Sequence, residues 1–375
     1  MKVLVTGAKG FIGKNLCLWL KNAGHEVFEY DLDSSLDSLK EWVRVSDFIV
    51  HLAGINRPLT PEEFIDGNVN FTVKLLSLIE EAGRKIPLIF SSSTQAEKDN
   101  DYGRSKKAAE DQIFEYSEKT GNPAYVYRLY NVFGKWCRPN YNSVIATWCF
   151  NVAHNLPIQI NPEAPAIDFV YIDDICKEFL RIINEQPKAS LEILHVEPHH
   201  NKTLQEVADL LYSFKESRKD LSTPLQEGFE KKLYATYLSY LEEDDFAYAL
   251  NPHIDNRGSF TEILKTQQFG QVSVNIGHPG ITKGNHYHMT KNEKYLVLSG
   301  TCIIKFRKVG TDKIITYECS GADLKVVDIP PGYTHSITTV GDTDSVTLMW
   351  ASELFDPENP DTIYENVEEQ SSKNN

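Results

Sequence analysis

A tyrosine and a lysine in one predicted helix are the first side chains in the sequence that could do chemistry. Tyr102 and Lys106 are four residues apart, so a helix places them on one face. A nearby ammonium group lowers the pKa of a phenol, which lets tyrosine exchange a proton near neutral pH. Three consecutive serines end a predicted strand shortly before this helix, and a serine hydroxyl can polarise a reacting oxygen. We predict a proton-transfer site built on Ser93, Tyr102 and Lys106, with Ser92 as the alternative serine.

A glycine-rich turn lies between the first predicted strand and the first predicted helix. The segment Gly7-Ala-Lys-Gly10-Phe-Ile-Gly13 lets the backbone approach a pyrophosphate at the helix N-terminus, where free N–H groups and the helix dipole favour negative charge. Asp31 ends the second predicted strand, where a carboxylate can bind the 2′-hydroxyl of a ribose and favour NAD(H). Lys9 could instead bind the 2′-phosphate of NADP(H). The spacing leaves the choice of dinucleotide open.

Three histidines and a glutamate near the C-terminus have the spacing of a metal site. His286 and His288 alternate on a predicted strand and therefore point to one face, and Glu293 follows five residues later. His335 could complete a tetrahedron. Imidazole and carboxylate ligands suit zinc, although Mn, Fe, Ni or Cu stay open from ligand type. We predict a divalent metal bound by these four side chains.

The pattern of elements changes near residue 245, which predicts two domains. Apolar runs alternate with helical patterns before this point, as in a parallel sheet covered by helices. After the acidic cluster at 242–245, short β-rich runs separated by turns predict an antiparallel sandwich or barrel. We predict an α/β domain over residues 1–245, an all-β domain over 246–365 and a frayed tail over 366–375. The predicted strands are Lys2–Thr6, Glu26–Tyr30, Phe48–Leu52, Pro87–Ser92 and Ala124–Tyr130, then Phe260–Leu264, Val272–Ile276, Tyr295–Leu298, Cys302–Phe306, Ile314–Glu318, Val326–Ile329, Ser336–Thr339 and Val346–Trp350; helices are predicted near 11–23, 36–45, 61–83 and 103–120, and after a capping box at 203–206.

Composition and charge exclude several classes of protein. The 375 residues include 38 basic and 53 acidic side chains, a net charge of −15 that argues against nucleic-acid and anionic-membrane partners. The six cysteines form no C-x-x-C pair and are interpreted as reduced thiols of a cytosolic protein. No apolar run approaches the ~18 residues of a membrane span, and the first strand meets glycine too early for a signal peptide. We expect a soluble, cytoplasmic protein.

Six segments of the first domain form an ordered series of motifs. They are Thr6–Gly13, His51-Leu-Ala-Gly54, Ser91–Ser93, Tyr102–Lys106, Arg128-Leu-Tyr-Asn-Val-Phe-Gly134 and Phe169-Val-Tyr-Ile-Asp-Asp-Ile175. Over about residues 1–240, this series resembles the extended short-chain dehydrogenases/reductases that act on nucleotide sugars. The resemblance implies a Rossmann-type doubly wound parallel sheet and the catalytic set Ser93, Tyr102 and Lys106. The stretch Leu32–Ser46 is shorter than in many relatives, which also leaves the NAD or NADP preference open.

The same resemblance implies two sets of binding residues. The glycine turn and the ends of the second and third strands would bind NADPH, with NADH as the alternative. The loop after Asn131 would hold the diphosphate of the sugar nucleotide, although a solvated surface loop is the other interpretation of its cations. The cofactor set is Gly7, Lys9, Gly10, Phe11, Ile12, Gly13, Asp31, Leu52, Ala53, Gly54, Tyr102 and Lys106, and the substrate set is Arg57, Asn131, Lys135, Arg138 and Asn142.

The second domain resembles a cupin, which implies a barrel around the predicted metal. The segment Gly280–Gly300 fits the first cupin motif, G-x5-H-x-H-x4-E-x6-G, in full. The segment Pro330–His335 resembles the second motif, with Leu324 and Thr339 where that motif has glycine and asparagine. The segment Asp255–Glu262 is similar to cupins that epimerise keto-sugar nucleotides.

An extended reductase joined to a cupin resembles the CapF family of capsule-biosynthesis enzymes, of the UDP-N-acetyl-L-fucosamine pathway, over nearly the whole chain. The resemblance implies C3 epimerisation of a UDP-2-acetamido-2,6-dideoxy-4-hexulose by the metal cupin, NADPH-dependent reduction at C4 to UDP-2-acetamido-2,6-dideoxy-L-talose, and a homodimer. A C4 ketone acidifies the C3–H bond, so epimerisation must precede reduction. A monofunctional reductase with a cupin for dimerisation or sugar binding, a redox-metal dioxygenase and a purely structural metal stay open, and no residue stands out as the C3 base.

Overall fold

The computed structural model describes residues 1–58, 60–221, 228–251, 253–255, 258–260, 270–353 and 357–368. The chain divides into two compact units, each made of two stretches of sequence. The first unit comprises Met1–Val132 and Ile167–Asn201, and the second comprises Phe133–Ala166 and Lys202–Asn375. These limits differ from the boundary near residue 245, which follows the change from helices to strands and stays a prediction.

The elements are numbered along the chain. The helices are α1 Phe11–Asn22, α2 Leu36–Val45, α3 Glu62–Phe64, α4 Phe71–Glu81, α5 Asp101–Thr120, α6 Val144–Ala153, α7 Ile172–Glu185, α8 Leu204–Asp220 and α9 Phe229–Leu238, with a π-helical stretch Ile65–Asn70 and a 3-10 turn Thr94–Glu97. The strands are β1 Lys2–Thr6, β2 Glu26–Tyr30, β3 Phe48–His51, β4 Leu88–Ser93, β5 Ala124–Leu129, β6 Asn131–Phe133, β7 Ile167–Tyr171, β8 Ile193–Leu194, β9 His199–Lys202, β10 Ala247–Ala249, β11 His253–Asp255, β12 Gly258–Phe260, β13 Gln271–Gly277, β14 Thr282–Tyr287, β15 Glu293–Ser299, β16 Thr301–Lys308, β17 Ile314–Ser320, β18 Lys325–Ile329, β19 Tyr333–Val340, β20 Ser345–Ala351 and β21 Ile363–Tyr364.

The first unit is built on a parallel sheet with the strand order β2-β1-β3-β4-β5-β8. The central strands are apolar on both faces, since Val3, Leu4 and Val5 of β1 are all fully buried. The order reverses between β1 and β3, and a crevice for a ligand opens at such a point beyond the carboxyl ends of the strands. The Rossmann-type α/β fold predicted for this part of the chain is therefore confirmed.

The second unit contains antiparallel sheets. Two have five strands each, in the orders β10-β18-β15-β20-β13 and β17-β16-β19-β14-β21, and β11 pairs with β12. Strand β14 carries His286 and pairs with β19 so that His286 lies opposite His335. This arrangement agrees with the all-β cupin-type domain that the sequence predicts. The sequence also singles out the segment Asp255–Glu262, of which residues 256–257 and 261–262 lie outside the described residues. Residues 261–264 of the predicted strand Phe260–Leu264 lie outside them as well.

The last described residues are anchored to the antiparallel sheets. Val367 is fully buried, and its carbonyl accepts a hydrogen bond from Arg307 Nε at 2.9 Å. The described chain extends to residue 368, the frayed tail over 366–375 stays a prediction, and 369–375 lie outside the described residues. Among the helices that the structure describes, none combines the length and the apolar composition needed to cross a bilayer.

Candidate active site and metal centre

The first and last glycines of the turn at the end of β1 leave no room for a side chain. A Cβ added to Gly13 would lie 2.2 Å from the carbonyl oxygen of Gly7, and one added to Gly7 would lie 2.8 Å from the backbone nitrogen of Ala53. Gly10 directly precedes α1 and has no side chain that could cap this helix. The N–H groups of the first helical turn, which includes Phe11 and Ile12, can therefore bind an anion, and the turn fits a dinucleotide pyrophosphate.

Asp31 and Lys9 lie side by side beyond the end of β2. The Asp31 carboxylate accepts hydrogen bonds from the backbone N–H groups of Lys9 at 2.7 Å and Leu32 at 2.8 Å. The Lys9 ammonium group forms an ion pair with Asp33 at the surface. Both groups lie where the adenosine ribose of a dinucleotide is expected, so the geometry leaves the choice between NAD and NADP open, as the sequence does.

The residues after β3 face the same crevice. The backbone N–H of Leu52 donates to the Thr6 carbonyl at 3.1 Å, which joins the ends of β3 and β1. A Cβ added to Gly54 would lie 2.8 Å from Asn68 Oδ1 and 3.7 Å from Lys106 Nζ. Gly54 is therefore a point where the predicted cofactor and catalytic residues meet.

Helix α5 brings the predicted catalytic residues to the end of β4. Its N-cap is Asn100, whose side chain accepts the backbone N–H of Gly103 at 2.8 Å. The Ser93 side chain lies near enough to the Tyr102 phenol to act on its pKa. Lys106 is buried and donates to the carbonyl of Ser91 at 2.7 Å. The structure therefore assembles Ser93, Tyr102 and Lys106 as the sequence predicts.

Burial sets the protonation of this group. Burial raises the pKa of Tyr102, although the nearby Ser93 side chain opposes the rise. In the protein alone the pKa of this phenol therefore lies above its ordinary value, whereas the sequence predicts a value below it, and Tyr102 is a protonated phenol ready to donate. Burial also lowers the pKa of Lys106 to about 8, against the opposing charge of Glu110.

Ser92 and Ser93 point to different partners. The Ser92 hydroxyl donates to Glu110 Oε1 at 2.5 Å, and both side chains are buried. Arg128 holds the same carboxylate through two hydrogen bonds, at 2.9 and 2.7 Å. Ser92 thus belongs to a buried polar network, whereas Ser93 lies against Tyr102, so the geometry favours Ser93 over the alternative serine.

Asn68 is part of the site and was missed from the sequence. Its amide nitrogen donates to Ser105 Oγ and to the carbonyl of Ile55, both at 2.9 Å, and its oxygen accepts the backbone N–H of Ile55 at 2.7 Å. It thereby joins the loop after β3 to α5, which carries Tyr102. Asn68 lies in the π-helical stretch, and such turns often mark functional sites.

The predicted substrate residues belong to different units. Arg57 and Asn131 are exposed in the first unit, and Asn131 donates to the carbonyl of Asp168 at 3.2 Å. In the second unit Lys135 is fully buried, with its ammonium group 5.4 Å from the ring centre of Trp136. Arg138 and Asn142 are exposed in that unit. Binding of the diphosphate by these five residues stays a prediction.

The predicted metal ligands converge in the second unit. One donor atom from each of His286, His288, Glu293 and His335 lies within 4.8 Å of the others. Glu293 Oε2 is 3.4 Å from Nε2 of both His288 and His335. The ring centres of His286 and His335 are 4.6 Å apart. The sequence prediction of this cluster therefore agrees with the geometry.

The cluster fits a divalent metal. His288 Nε2 is buried and has no hydrogen-bond partner among the described residues, whereas its Nδ1 is 2.6 Å from the carbonyl oxygen of Asp361. Burial lowers the pKa of His286 to about 3, so this imidazole is neutral and can act as a ligand. The Tyr295 hydroxyl donates to Glu293 Oε2 at 3.1 Å and orients the carboxylate. Three imidazoles and one carboxylate form a set that suits zinc.

Comparisons with known proteins cover both parts of the chain. The family model of the NAD dependent epimerase/dehydratase family matches residues 3–194, and the model of the polysaccharide biosynthesis C-terminal domain matches 253–363. A Pseudomonas aeruginosa protein named UDP-2-acetamido-2,6-beta-L-arabino-hexul-4-ose reductase is 47% identical over 364 residues, which are 96% of this chain and 98% of that protein.

Solved structures also match the chain. The capsular polysaccharide assembling protein CapF from Staphylococcus aureus is 50% identical, with a TM-score of 0.67 over 98% of this chain and 100% of that chain. The structure of RMD from Pseudomonas aeruginosa complexed with NADPH is 22% identical, with a TM-score of 0.51 over 57% of this chain and 84% of that chain, and shows a likeness of fold alone.

Proposed function

Because the chain belongs to the NAD dependent epimerase/dehydratase family and is CapF-like along nearly its whole length, we propose that it is a bifunctional nucleotide-sugar enzyme. It epimerises C3 of a UDP-2-acetamido-2,6-dideoxy-4-hexulose and then reduces the C4 ketone to UDP-2-acetamido-2,6-dideoxy-L-talose, a precursor of a capsular or surface polysaccharide. The observation that carries the proposal is the presence of two assembled sets of functional side chains in one chain. One is Ser93, Tyr102 and Lys106, and the other is the metal cluster. The Pseudomonas aeruginosa relative is named a hexul-4-ose reductase, and that name supports the choice of a keto-sugar substrate.

Reduction of the ketone uses the first set. The glycine turn would hold NADPH, with NADH as the alternative cofactor, and the dinucleotide would supply the hydride for C4. Tyr102 donates its proton to the ketone oxygen, and Ser93, which lies beside the same phenol, polarises that oxygen. The Lys106 ammonium group, held by the Ser91 carbonyl, stabilises the phenolate that remains.

Epimerisation uses the second set. The cluster would hold a divalent metal, zinc by ligand type, which would supply Lewis-acid stabilisation of the negative charge on the ketone oxygen. Epimerisation removes the proton from C3 and returns one to the opposite face of that carbon. The described cluster offers His286, His288, Glu293 and His335 as ligands, and Tyr295 orients Glu293. We assign no residue as the base at C3. The C4 ketone must still be present for this step, so epimerisation comes first.

We further propose that the enzyme works as a homodimer in the cytoplasm. All six cysteines are free thiols, as expected in a reducing compartment.

The direct test of the overall reaction is to incubate the full chain with the UDP-4-hexulose and NADPH and to identify the product by NMR. The proposal expects the talo product, whereas a C4-reduced sugar with unchanged C3 would support a monofunctional reductase with a cupin for binding or dimerisation. Oxygen uptake by an iron-loaded chain would instead support a dioxygenase.

The two serines give a prediction that separates catalysis from stability. Ser93→Ala is expected to lower kcat for ketone reduction by roughly 100-fold or more, because the substrate oxygen loses a hydrogen-bond donor. Ser92→Ala is the matched control, since its hydroxyl bonds buried Glu110 instead; it should cost about 1–3 kcal/mol of unfolding free energy and leave kcat nearly unchanged. Kinetics and denaturant unfolding of both variants check this. The reverse pattern would assign the catalytic role to Ser92.

The lowered pKa of Lys106 predicts how reduction depends on pH. Lys106 is charged below its pKa of about 8 and neutral above it, and only the ammonium form stabilises the Tyr102 phenolate. We therefore expect kcat/KM for reduction to fall as pH rises through about 8. A steady-state profile from pH 6 to 10 measures this directly. A profile that stays flat to pH 9.5 would show that the charge of Lys106 is not required.

A further inference from the structure

We propose that Asp361 is a positioning residue for the metal centre, and this inference rests on the metal site of the proposed function. Asp361 is 68 residues beyond Glu293 in sequence and lies on the described segment 357–368, which supplies no member of the ligand cluster. It holds one ligand and the loop that follows this ligand in the arrangement that binds the ion. Three independent observations support this role.

The carboxylate of Asp361 fixes the start of the loop between two ligands. Its Oδ1 accepts the backbone N–H of Met289 at 2.8 Å. Its Oδ2 accepts the backbone N–H groups of Thr290 at 2.9 Å and Lys291 at 2.8 Å, and the Thr290 hydroxyl at 2.9 Å. These three residues directly follow the second histidine ligand, so one side chain sets the path of the backbone towards Glu293.

The backbone carbonyl of Asp361 orients the second histidine itself. His288 Nδ1 lies 2.6 Å from this carbonyl oxygen, which can only accept a hydrogen bond, so Nδ1 carries a proton and donates it. The other nitrogen, Nε2, faces the space beside Glu293, 3.4 Å from Oε2, and is the nitrogen available to a metal. A partner of this kind fixes both the tautomer and the ring orientation of a metal-binding histidine.

The segment that carries Asp361 is attached firmly on its C-terminal side. Strand β21 follows within two residues and pairs with β14, so that Tyr364 lies opposite His286. Arg307 then binds the carbonyl oxygens of Asn366 at 2.8 Å and Val367 at 2.9 Å. Asp361 therefore acts from a fixed position rather than from a loose end of the chain.

The backbone of Asp361 is left-handed, with φ of 39°. This conformation is uncommon for residues with a side chain, although aspartate, asparagine and glycine tolerate it best. The five hydrogen bonds made by Asp361 offset its cost. The conformation also defines the informative substitutions, because Asp361→Asn and Asp361→Gly keep the backbone and the carbonyl contact with His288.

The test measures metal binding by the full chain rather than activity. Wild type, Asp361→Gly, Asp361→Asn and the control Asp342→Asn, an exposed aspartate in the turn between β19 and β20, are stripped of metal and titrated with Zn²⁺ against a chromophoric chelator. The same proteins are loaded with Co²⁺ and their visible spectra recorded. We expect Asp361→Gly to lose roughly 10- to 100-fold in Zn²⁺ affinity and to change the Co²⁺ spectrum. Asp342→Asn should match wild type.

Asparagine provides the second arm if the glycine variant does not fold. The amide NH₂ of asparagine replaces one of two oxygens that both accept N–H groups, so a donor must face a donor. The Zn²⁺ affinity of Asp361→Asn should therefore also fall. Wild-type affinity and spectrum in Asp361→Gly, or in Asp361→Asn where glycine fails, would overturn the inference and leave the proposed function standing. A wild-type chain that binds neither ion would overturn the inference together with the metal centre. A lower melting temperature without a change in the Co²⁺ spectrum would assign Asp361 a structural role only and overturn the inference.

Discussion

Tyr102→Phe is expected to abolish NADPH-dependent reduction of the keto-sugar while C3–H exchange with solvent continues. The variant keeps the ring, which packs 5.7 Å from Phe64 between ring centres, and loses only the hydroxyl that donates the proton. Loss of a positioned proton donor typically costs 10²- to 10⁴-fold in rate, so we expect a fall in kcat of about that size. Oxidation of NADPH measures the first activity, and deuterium incorporation at C3 measures the second.

Tyr116→Phe is the matched control for this variant. Tyr116 lies on the same helix α5, near its other end, and is only partly buried. Its substitution should leave both activities close to wild type. Normal NADPH oxidation by Tyr102→Phe would remove Tyr102 from the mechanism, and loss of both activities in Tyr102→Phe alone would contradict two separate sites.

His286→Ala is expected to lose bound metal and, with it, the exchange of the C3 proton. His286 is one of four ligands, and its removal leaves two imidazoles and a carboxylate in a cluster that is otherwise largely buried. We expect metal affinity to fall by roughly 100-fold or more, because a tetrahedral site that loses a protein ligand also loses its geometry. Elemental analysis of the purified chain gives occupancy, and NMR in D2O gives exchange.

His278→Ala is the control for the metal prediction. His278 lies in the same unit but is exposed and paired with Asp344 at 2.9 Å, outside the cluster. Its removal should change neither occupancy nor exchange. Full metal occupancy in His286→Ala would refute the ligand assignment. If the variant loses its metal but still exchanges the C3 proton at the wild-type rate, the metal is only structural.

The parts of both sites that lie close together in sequence were predictable. Tyr102 and Lys106 share a face because a helix repeats every 3.6 residues, and His286 and His288 share a face because a strand repeats every two. The parallel sheet was predictable for a related reason, since strands buried on both faces are continuous apolar runs. Local periodicity is thus sufficient for these features, and the structure agrees with them.

Features that depend on long-range packing or irregular helices were not predictable. Asn68 lies in a π-helical turn, where the 3.6-residue period that locates helices from sequence does not apply. Helix α6 was missed because its sequence is apolar except for Thr147 and Asn151, so it shows little alternation between apolar and polar residues. Asp361 acts on a loop about 70 residues away, and no spacing rule connects the two.

Burial decided the remaining differences. Lys135, proposed from the sequence for the substrate diphosphate, is fully buried beside Trp136. Its burial could not be predicted, because a cation in a loop with glycine and proline usually lies at the surface. Burial also raises the pKa of Tyr102, against the lowering that a nearby lysine suggested. The choice between Ser92 and Ser93 likewise needed the structure, because adjacent residues of a strand point to opposite faces.

The most direct test of the central claim is NMR of the UDP-2-acetamido-2,6-dideoxy-4-hexulose with the full chain in D2O, with and without NADPH. Two separate sites predict that deuterium enters C3 without NADPH, and that adding NADPH yields a talo product with deuterium at C3. Reduction with no deuterium at C3 under either condition would contradict the account, because the second site would then take no part in the chemistry.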